Sequence, residues 1–325
     1  MKKMAALFGR KNELYMILND RAKEYALSKG IDYEWIPMDP YTVEKCVAAL
    51  KDADCGLIDV ERYDKEIFSQ ICERNKLLIR FGVGFDAVNL SDAADYGIRI
   101  ARTQGANATG VAEYAVLLMM ALHRKLVLGM QGVQSGNWAK EIGNETIGAT
   151  VGILGFGAVG KIVARLLKGF GCRILAYDTY QDEAAAKELG VTFTDADTIF
   201  RECDSITVHM ALNDETKGFV NARRLAMMKP NAVIVNTSRG PVVDDEALIA
   251  ALREHRIGGA GLDVFAQEPL PVESEYLSLD NVILTPHVAS STVESLWNIY
   301  KMAIDIADGV FTGEMSDAVK RCMLV

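Results

Sequence analysis

A glycine-rich turn, Gly-Phe-Gly-Ala-Val-Gly, occupies residues 155–160, near the middle of a chain of 325 residues. Residues 150–154 before it are typical of a strand, and residues 159–168 have the apolar spacing of a helix. In that setting Gly155 permits a tight turn, Gly157 lets a pyrophosphate approach the backbone, and Gly160 lets the helix pack closely on the strand. The N–H groups of the helix would then face the phosphates. The pattern predicts a dinucleotide-binding βαβ unit rather than a plain turn, with cofactor contacts from Gly155, Gly157, Ala158, Val159 and Gly160.

An acidic residue ends the next predicted strand and bears on the choice of cofactor. Asp178 follows residues 173–177 and lies 18 positions after Gly160, where a carboxylate would hold the hydroxyls of the adenosine ribose. The same carboxylate would repel the 2′-phosphate of NADP, which an arginine usually accommodates. Residues 179–181, Thr-Tyr-Gln, supply no positive charge. We therefore predict NAD as the cofactor.

The position of the glycine turn implies a second domain. A dinucleotide fold standing alone would place this turn near the N-terminus, whereas a complete series of alternating strand and helix patterns precedes it here. The length is also about twice that of a typical single domain. A last helical segment, residues 292–308, has too little partner sequence to fold alone, so we expect it to return to the first domain. The sequence thus predicts an α/β protein with two doubly wound parallel sheets.

Charge and composition exclude several classes of partner. The net charge of −9 and a pI near 5.1 argue against nucleic acid, because phosphate contacts need a basic face and no cluster of Lys and Arg occurs. The longest apolar run, residues 115–122, is far shorter than the roughly 20 residues that cross a bilayer. Six cysteines without a CxxC pair favour reduced thiols over a disulfide framework. We predict a cytoplasmic protein with no membrane association and no metal site.

Hydride transfer at an alcohol carbon needs a group that accepts the hydroxyl proton, and histidine suits that role near neutral pH. The chain has four histidines. His123 is expected on a helix surface and His255 at a solvated helix end. His209 and His287 each follow a predicted strand, and open α/β sheets bind ligands at the carboxyl ends of their strands. These two are the candidates.

His287 has two candidate partners on neighbouring predicted strands. Arg239 follows residues 233–236, and Glu268 follows residues 263–265. A carboxylate beside an imidazole fixes the ring and favours its charged form. An arginine fork binds a carboxylate or carbonyl oxygen at two points. We predict Arg239, Glu268 and His287 as catalytic residues, with a plain salt bridge between the first two as the alternative.

Five segments together carry a resemblance to a known family. They are Arg80 to Asp86 (RFGVGFD), Gly155 to Gly160, Asn236 to Gly240 (NTSRG), Gly261 to Phe265 (GLDVF) with Glu268-Pro269, and Pro286 to Ala289 (PHVA). In this order they resemble the D-isomer-specific 2-hydroxyacid dehydrogenases, of the phosphoglycerate dehydrogenase-like kind, from about residue 77 to residue 291.

The resemblance implies a flavodoxin-like substrate domain built from both chain ends, residues 1–103 and 292–325. A Rossmann cofactor domain, residues 104–291, would be inserted between them. It also implies a homodimer joined through the cofactor domain. The reaction would transfer a hydride between C2 of a small 2-hydroxy or 2-oxo acid and C4 of the nicotinamide.

Roles for individual residues follow from the same resemblance. Arg239 would orient the substrate, His287 would be the acid and base, and Glu268 would be its partner. The backbone amides of Val83 and Gly84 would hold the substrate carboxylate. The further cofactor contacts would be Thr103, His209, Met210, Thr237, Asp263 and Ala289.

The sequence leaves the substrate open. Arg80 could meet a substrate phosphate, as in the phosphoglycerate dehydrogenases, or form a salt bridge on the domain surface. Met130 and Trp138 could instead line an apolar pocket for a branched side chain. Two other functions are alternatives. One is an NAD(H)-sensing interaction scaffold resembling the C-terminal-binding corepressors. The other is a formate dehydrogenase-like enzyme, and the acid at Glu268 argues against it.

Overall fold

The computed structural model describes residues 1–9 and 12–325. Its contacts divide the chain into two compact units. One unit, here the terminal domain, consists of Met1–Asn107 and Thr292–Val325. The other, here the inserted domain, consists of Ala108–Ser291. The change from one unit to the other falls where a long helix begins, at Ala108.

The terminal domain is built on a parallel sheet of five strands. Its strands and helices alternate along the chain as β1 (Lys2–Leu7), α1 (Glu13–Ser28), β2 (Ile31–Trp35), α2 (Val43–Lys51), β3 (Cys55–Ile58), α3 (Lys65–Ile71), β4 (Leu77–Arg80), α4 (Leu90–Asp95) and β5 (Arg99–Arg102). The strand order is β2-β1-β3-β4-β5, which is the flavodoxin-like order. Because β3, β4 and the centre of β1 are buried on both faces, these strands consist mostly of apolar residues.

The inserted domain has a parallel sheet of seven strands. Its elements are α5 (Ala108–His123), α6 (Leu126–Gln134), β6 (Thr150–Leu154), α7 (Ala158–Lys168), β7 (Arg173–Tyr177), α8 (Glu183–Leu189), β8 (Val191–Phe193), α9 (Ala196–Glu202), β9 (Ser205–Val208), α10 (Ala222–Leu225), β10 (Val233–Asn236), α11 (Asp245–Arg253), β11 (Gly259–Leu262) and β12 (Val282–Leu284), with 3₁₀ turns at Gly240–Val242 and Glu275–Ser278. The strand order is β12-β11-β10-β9-β6-β7-β8. Counted from β6, this is the Rossmann order with one strand added beside β11.

The end of the chain completes the terminal domain with α12 (Val293–Thr312) and α13 (Asp317–Cys322). A buried polar network joins α12 to the start of the chain. The Tyr33 hydroxyl donates to Asn19 Oδ1 at 2.5 Å, and Asn19 Nδ2 donates to the Tyr300 hydroxyl at 2.9 Å. The apolar face of α12 packs in the same core as β1 and α1. The predicted fold class, two doubly wound parallel-sheet domains with one inserted in the other, is confirmed.

Within the described part of the chain, no helix is both long enough and apolar enough to cross a bilayer.

Candidate active site

The glycine turn of the inserted domain has the close approaches that its sequence predicts. A Cβ on Gly155, whose φ is +97°, would lie 2.7 Å from the carbonyl carbon of His209. A Cβ on Gly160 would lie 2.3 Å from the carbonyl oxygen of Gly155, so α7 can approach the strand only with glycine there. Gly157 caps the N-terminus of α7, and the space around it is open to 4 Å. The turn therefore offers an open backbone at a helix N-terminus, which fits a pyrophosphate.

Asp178 is tied to the same turn. Its Oδ2 accepts a hydrogen bond from the Phe156 N–H at 2.6 Å, and its Oδ1 accepts one from the Tyr180 N–H at 3.1 Å. The ammonium of Lys161, on α7, pairs with Asp182 at 2.5 Å and lowers the pKa of that carboxyl. A fixed carboxylate beside the turn, with this lysine already paired, fits the two ribose hydroxyls of NAD better than the 2′-phosphate of NADP.

Thr237 and His209 lie at the carboxyl ends of the neighbouring strands β10 and β9. The Thr237 hydroxyl oxygen is buried and has no hydrogen-bond partner within the described chain. A buried hydroxyl without a partner is costly, so this atom fits a site that a bound ligand completes. The His209 ring bonds to the Thr207 hydroxyl at 2.9 Å, and burial lowers the pKa of His209 to about 3, so its imidazole is neutral.

His287 and Glu268 form the hydrogen-bonded pair that the sequence suggested. His287 Nδ1 lies 2.7 Å from Glu268 Oε2, and Glu268 Oε1 accepts the Phe265 N–H at 2.9 Å. The second bond fixes the carboxylate, and the carboxylate fixes the ring. Because Nδ1 is bonded to Glu268, proton exchange with a ligand falls to Nε2. The His287 side chain is 47% exposed, so a ligand can reach it.

Asp263 is fully buried and organises the loop that carries His287. Its carboxylate accepts hydrogen bonds from the Thr285 hydroxyl at 2.6 Å, the Val288 N–H at 2.9 Å and the Ala289 N–H at 2.8 Å. Its carbonyl oxygen accepts the His287 N–H at 2.9 Å.

His287 itself has a φ of +54°, a left-handed conformation that costs a residue with a Cβ about 1–2 kcal/mol. The hydrogen bonds to Asp263 hold the loop in that conformation. The family resemblance predicts Asp263 as a cofactor contact, and this second role was not predicted. The spacing of 24 residues between Asp263 and His287 carries no local pattern that could have revealed it.

Arg239 lies in the turn after β10, which the side chain of Asn236 organises. Asn236 Nδ2 donates to the Arg239 carbonyl oxygen at 2.9 Å, and Asn236 Oδ1 accepts the Ser238 N–H at 3.0 Å. A Cβ on Gly240 would lie 2.0 Å from the carbonyl carbon of Phe265. The turns after β10 and β11 are therefore in backbone contact. Arg239 and Glu268 come to the same edge of the sheet because they follow the carboxyl ends of the neighbouring parallel strands β10 and β11, and Gly240 lets the two turns touch.

The terminal domain presents its candidate residues in the turn after β4, which Thr103 holds. Thr103 is fully buried, and its hydroxyl oxygen accepts the Gly82 N–H at 2.9 Å. Gly82 has a φ of +123°, so only glycine fits there without strain. The turn leads directly to Val83 and Gly84, whose backbone is predicted to bind a carboxylate.

Arg80 lies behind that turn. Its side chain is only 9% exposed, and its guanidinium donates to the Phe81 carbonyl oxygen at 2.5 Å and to Asp59 Oδ1 at 3.4 Å. The predicted alternative to a phosphate ligand was a salt bridge on the surface, and the observed ion pair joins a buried arginine to a partly exposed aspartate. A substrate phosphate would have to compete with these partners for the guanidinium.

One expectation for a histidine is wrong. His123, predicted on a helix surface, is 4% exposed, and its Nε2 lies 2.6 Å from the Ser205 hydroxyl. The reason is that α5 is buried along most of its length, so a residue in its last turn faces the start of β9 rather than solvent. His255 is exposed, as predicted.

Comparisons with known proteins agree with this geometry. A family model described as D-isomer specific 2-hydroxyacid dehydrogenase, NAD binding domain, matches residues 116–289. The chain is 39% identical to the glyoxylate reductase of Pyrococcus furiosus over 262 residues, which cover 78% of this chain and 77% of that protein. It is 40% identical to the D-3-phosphoglycerate dehydrogenase of Synechocystis sp. over 237 residues, which cover 72% of this chain but 42% of that protein.

A solved structure extends the similarity over the whole chain. The apo D-lactate dehydrogenase of Escherichia coli matches with a TM-score of 0.84 and 30% identity, covering 99% of this chain and 100% of that chain. Because the matched family model describes an NAD-binding domain, the prediction of NAD as cofactor is confirmed.

Proposed function

This chain belongs to the D-isomer-specific 2-hydroxyacid dehydrogenase family, and from that premise we propose that it reduces a small, unphosphorylated 2-oxo acid, glyoxylate first among them. It is an NAD-dependent oxidoreductase that acts on hydroxy acids. The observation that carries the proposed reaction is the hydrogen bond between His287 and Glu268, beside a turn that holds Arg239.

In the proposed mechanism each side chain has a separate task. When bound, NADH would supply the hydride for C2 of the substrate. Protonated His287 delivers a proton from Nε2 to the C2 oxygen, and the Glu268 carboxylate stabilises the imidazolium before that transfer. The Arg239 guanidinium orients the substrate and offsets negative charge on its oxygens, and such a donor is worth roughly 3–4 kcal/mol when well placed. The backbone amides of Val83 and Gly84 hold the substrate carboxylate.

Two observations support a substrate without phosphate. Arg80, the candidate phosphate ligand, is buried and already bonded to Asp59 and to the Phe81 carbonyl oxygen. The similarity to a glyoxylate reductase, a protein named for an unphosphorylated 2-oxo acid, points the same way. In our proposal Arg80 positions the turn that binds the substrate carboxylate.

The cofactor contacts follow from the same proposal. The Thr237 hydroxyl would find its missing hydrogen-bond partner in bound NAD. Neutral His209 and the side chain of Met210 would adjoin it from the end of β9. Contacts from Thr103, Asp263 and Ala289 stay predictions, since each has its own hydrogen-bonding role within its domain.

We also propose that the inserted domain forms the homodimer contact. The segment between α5 and β6 exposes several large apolar side chains: Leu126, Met130, Val133, Trp138, Ile142 and Ile147. Trp138 is 78% exposed and Ile142 is 88% exposed. An apolar patch of this kind is typical of a covered protein surface. The molar mass in solution tests this proposal. We expect the protein to be a dimer and a Trp138→Ser variant to dissociate more readily.

The cytoplasmic location stays a prediction.

The decisive experiment measures NADH oxidation with glyoxylate, pyruvate, phosphohydroxypyruvate and a branched 2-oxo acid, with NADPH in parallel. We expect turnover with glyoxylate and NADH, and a much lower kcat/KM with phosphohydroxypyruvate. Preference for phosphohydroxypyruvate would refute the substrate proposal and implicate Arg80. Tight NADH binding without turnover of any acid would instead favour the interaction scaffold.

A further inference from the structure

A cavity of about 180 Å³ lies in the inserted domain, at the amino ends of the strands and so at the opposite end of the sheet from the candidate active site. Val233, the first residue of β10, and Gly258, just before β11, line it. The candidate active site is at the carboxyl ends of these same strands. The cavity is far larger than a single water needs but smaller than pockets for drug-sized ligands, so it suits a small ligand.

His123 lines this cavity and carries an unpartnered polar atom. The residue is 4% exposed, and its Nδ1 is buried with no hydrogen-bond partner within the described chain. Its other nitrogen, Nε2, lies 2.6 Å from the Ser205 hydroxyl, and Ser205 does not line the cavity. Nδ1 is therefore the ring nitrogen whose hydrogen-bonding capacity the described chain leaves unused.

The partner of Nε2 indicates which nitrogen carries the proton. Ser205 is fully buried, and its hydroxyl hydrogen needs an acceptor. Nε2 of His123 provides that acceptor if Nδ1 holds the ring proton. Burial lowers the pKa of His123, so the ring is neutral at pH 7 and has one N–H to offer. The buried atom is thus a donor, and its missing partner is an acceptor.

The charges around the cavity favour an anionic acceptor. Lys125, His255, Asn144 and Asn231 line it with His123, and the described lining contains no Asp or Glu. This is notable in a chain with a net charge of −9. Two carboxylates act on these residues: Glu141 pairs with Lys125 itself at 3.6 Å, where both side chains are exposed, and Asp204, whose charge acts on His123, pairs with Lys229 at 2.7 Å. Exposed pairs such as the first contribute little, so the Lys125 ammonium can be recruited.

We propose that this cavity binds a small oxyanion, a carboxylate or inorganic phosphate, with His123 Nδ1–H as the buried donor and Lys125 as the cationic partner. The side-chain amides of Asn144 and Asn231 supply further donors. The site is separate from the residues proposed to reduce the 2-oxo acid and does not depend on that proposal.

The test uses the histidine ring resonances of the full chain. With four histidines in the sequence, a ¹⁵N-histidine sample can be assigned by single substitutions. Inorganic phosphate and acetate are titrated separately. We expect saturable shifts of the His123 and His255 ring resonances. Shifts with phosphate alone would identify a phosphate site, and shifts with acetate alone a carboxylate site. Shifts confined to His287, or none at all, would overturn the proposal.

Variants make the assignment specific. Lys125→Met should weaken the anion affinity read at His123 by about tenfold, because it removes a charged hydrogen-bond donor. Lys187→Met, an exposed lysine on α8, removes the same charge outside the cavity and should leave the affinity unchanged. His123→Phe with Ser205→Ala removes the buried donor without orphaning the hydroxyl and should abolish the His255 shift. If Lys125→Met and Lys187→Met behave alike, the anion does not bind in this cavity.

Discussion

His287 lies at the carboxyl ends of the strands of one sheet and His123 at their amino ends. Each imidazole makes one short side-chain hydrogen bond. His287 bonds to a carboxylate at 2.7 Å and is 47% exposed, whereas His123 bonds to a hydroxyl at 2.6 Å and is 4% exposed. A carboxylate stabilises the protonated ring, while burial beside a neutral hydroxyl keeps the ring neutral. A hydrogen bond alone therefore does not suit a histidine to proton exchange: the charge of its partner and the exposure of the ring itself also matter, and by both criteria His287 is the better candidate.

The largest expected effect comes from removing His287, the proposed proton donor. His287→Asn keeps a residue that tolerates the left-handed conformation, so the chemistry is tested without added backbone strain. We expect kcat to fall by about 10³-fold, because general acid catalysis is lost. NADH binding and the free energy of unfolding should stay unchanged. A loss of NADH affinity would mean that His287 supports the cofactor site and is not the proton donor.

The next effect concerns the residue that holds the His287 loop. Asp263→Asn leaves one acceptor oxygen where the carboxylate accepts three hydrogen bonds, so at least one buried N–H loses its partner. We expect the free energy of unfolding of the inserted domain to fall by about 2–3 kcal/mol in urea denaturation. Asp280→Asn, an exposed change of the same kind, is the control and should have no effect. Equal stability of the two variants would contradict the role given to Asp263.

The buried His123 should make the free energy of unfolding depend on pH. Burial holds the pKa of folded His123 below its ordinary value of 6.5, so the unfolded chain binds the proton first as the pH falls. The stability contribution is complete above pH 6.5 and is lost below it. Between pH 7 and pH 5 this loss should amount to at most about 2 kcal/mol. In the His123→Phe, Ser205→Ala variant, urea denaturation should show a smaller loss; an unchanged pH dependence would assign the effect to His209 instead.

The smallest expected effect is that of the Thr237 hydroxyl on cofactor binding. Thr237→Val removes a buried hydroxyl that has no partner in the chain, so the free energy of unfolding without cofactor should change by under about 0.5 kcal/mol. The Kd for NADH should rise about fivefold, as expected for one lost hydrogen bond. Fluorescence titration of NADH measures it. An unchanged Kd would show that the hydroxyl does not contact the cofactor.

Local patterns allowed much of this to be predicted. The glycine turn and Asp178 are recognisable because the backbone geometry they serve is set within one βαβ unit, and His287 because it follows a strand directly. The burial of His123, the bonds to Asp263 and the pairing of Arg80 with Asp59 could not be predicted. Each depends on which element packs against it from far along the chain, and no spacing encodes that contact. The close approach of Gly240 to Phe265 could be predicted only in part. An Arg-Gly pair suggests a constrained turn, but it does not indicate that the turn after β11 lies against it.

The network of Asn19, Tyr33 and Tyr300 has a consequence for synthesis of the protein on the ribosome. Asn19 and Tyr300 are 281 residues apart, so the core that holds them cannot close until the C-terminal helix has left the exit tunnel. The inserted domain is contiguous and can fold while the ribosome is still translating. The first hundred residues meanwhile expose the apolar surface that α12 later covers. During that interval, this N-terminal segment is the part of the nascent chain most in need of chaperone protection.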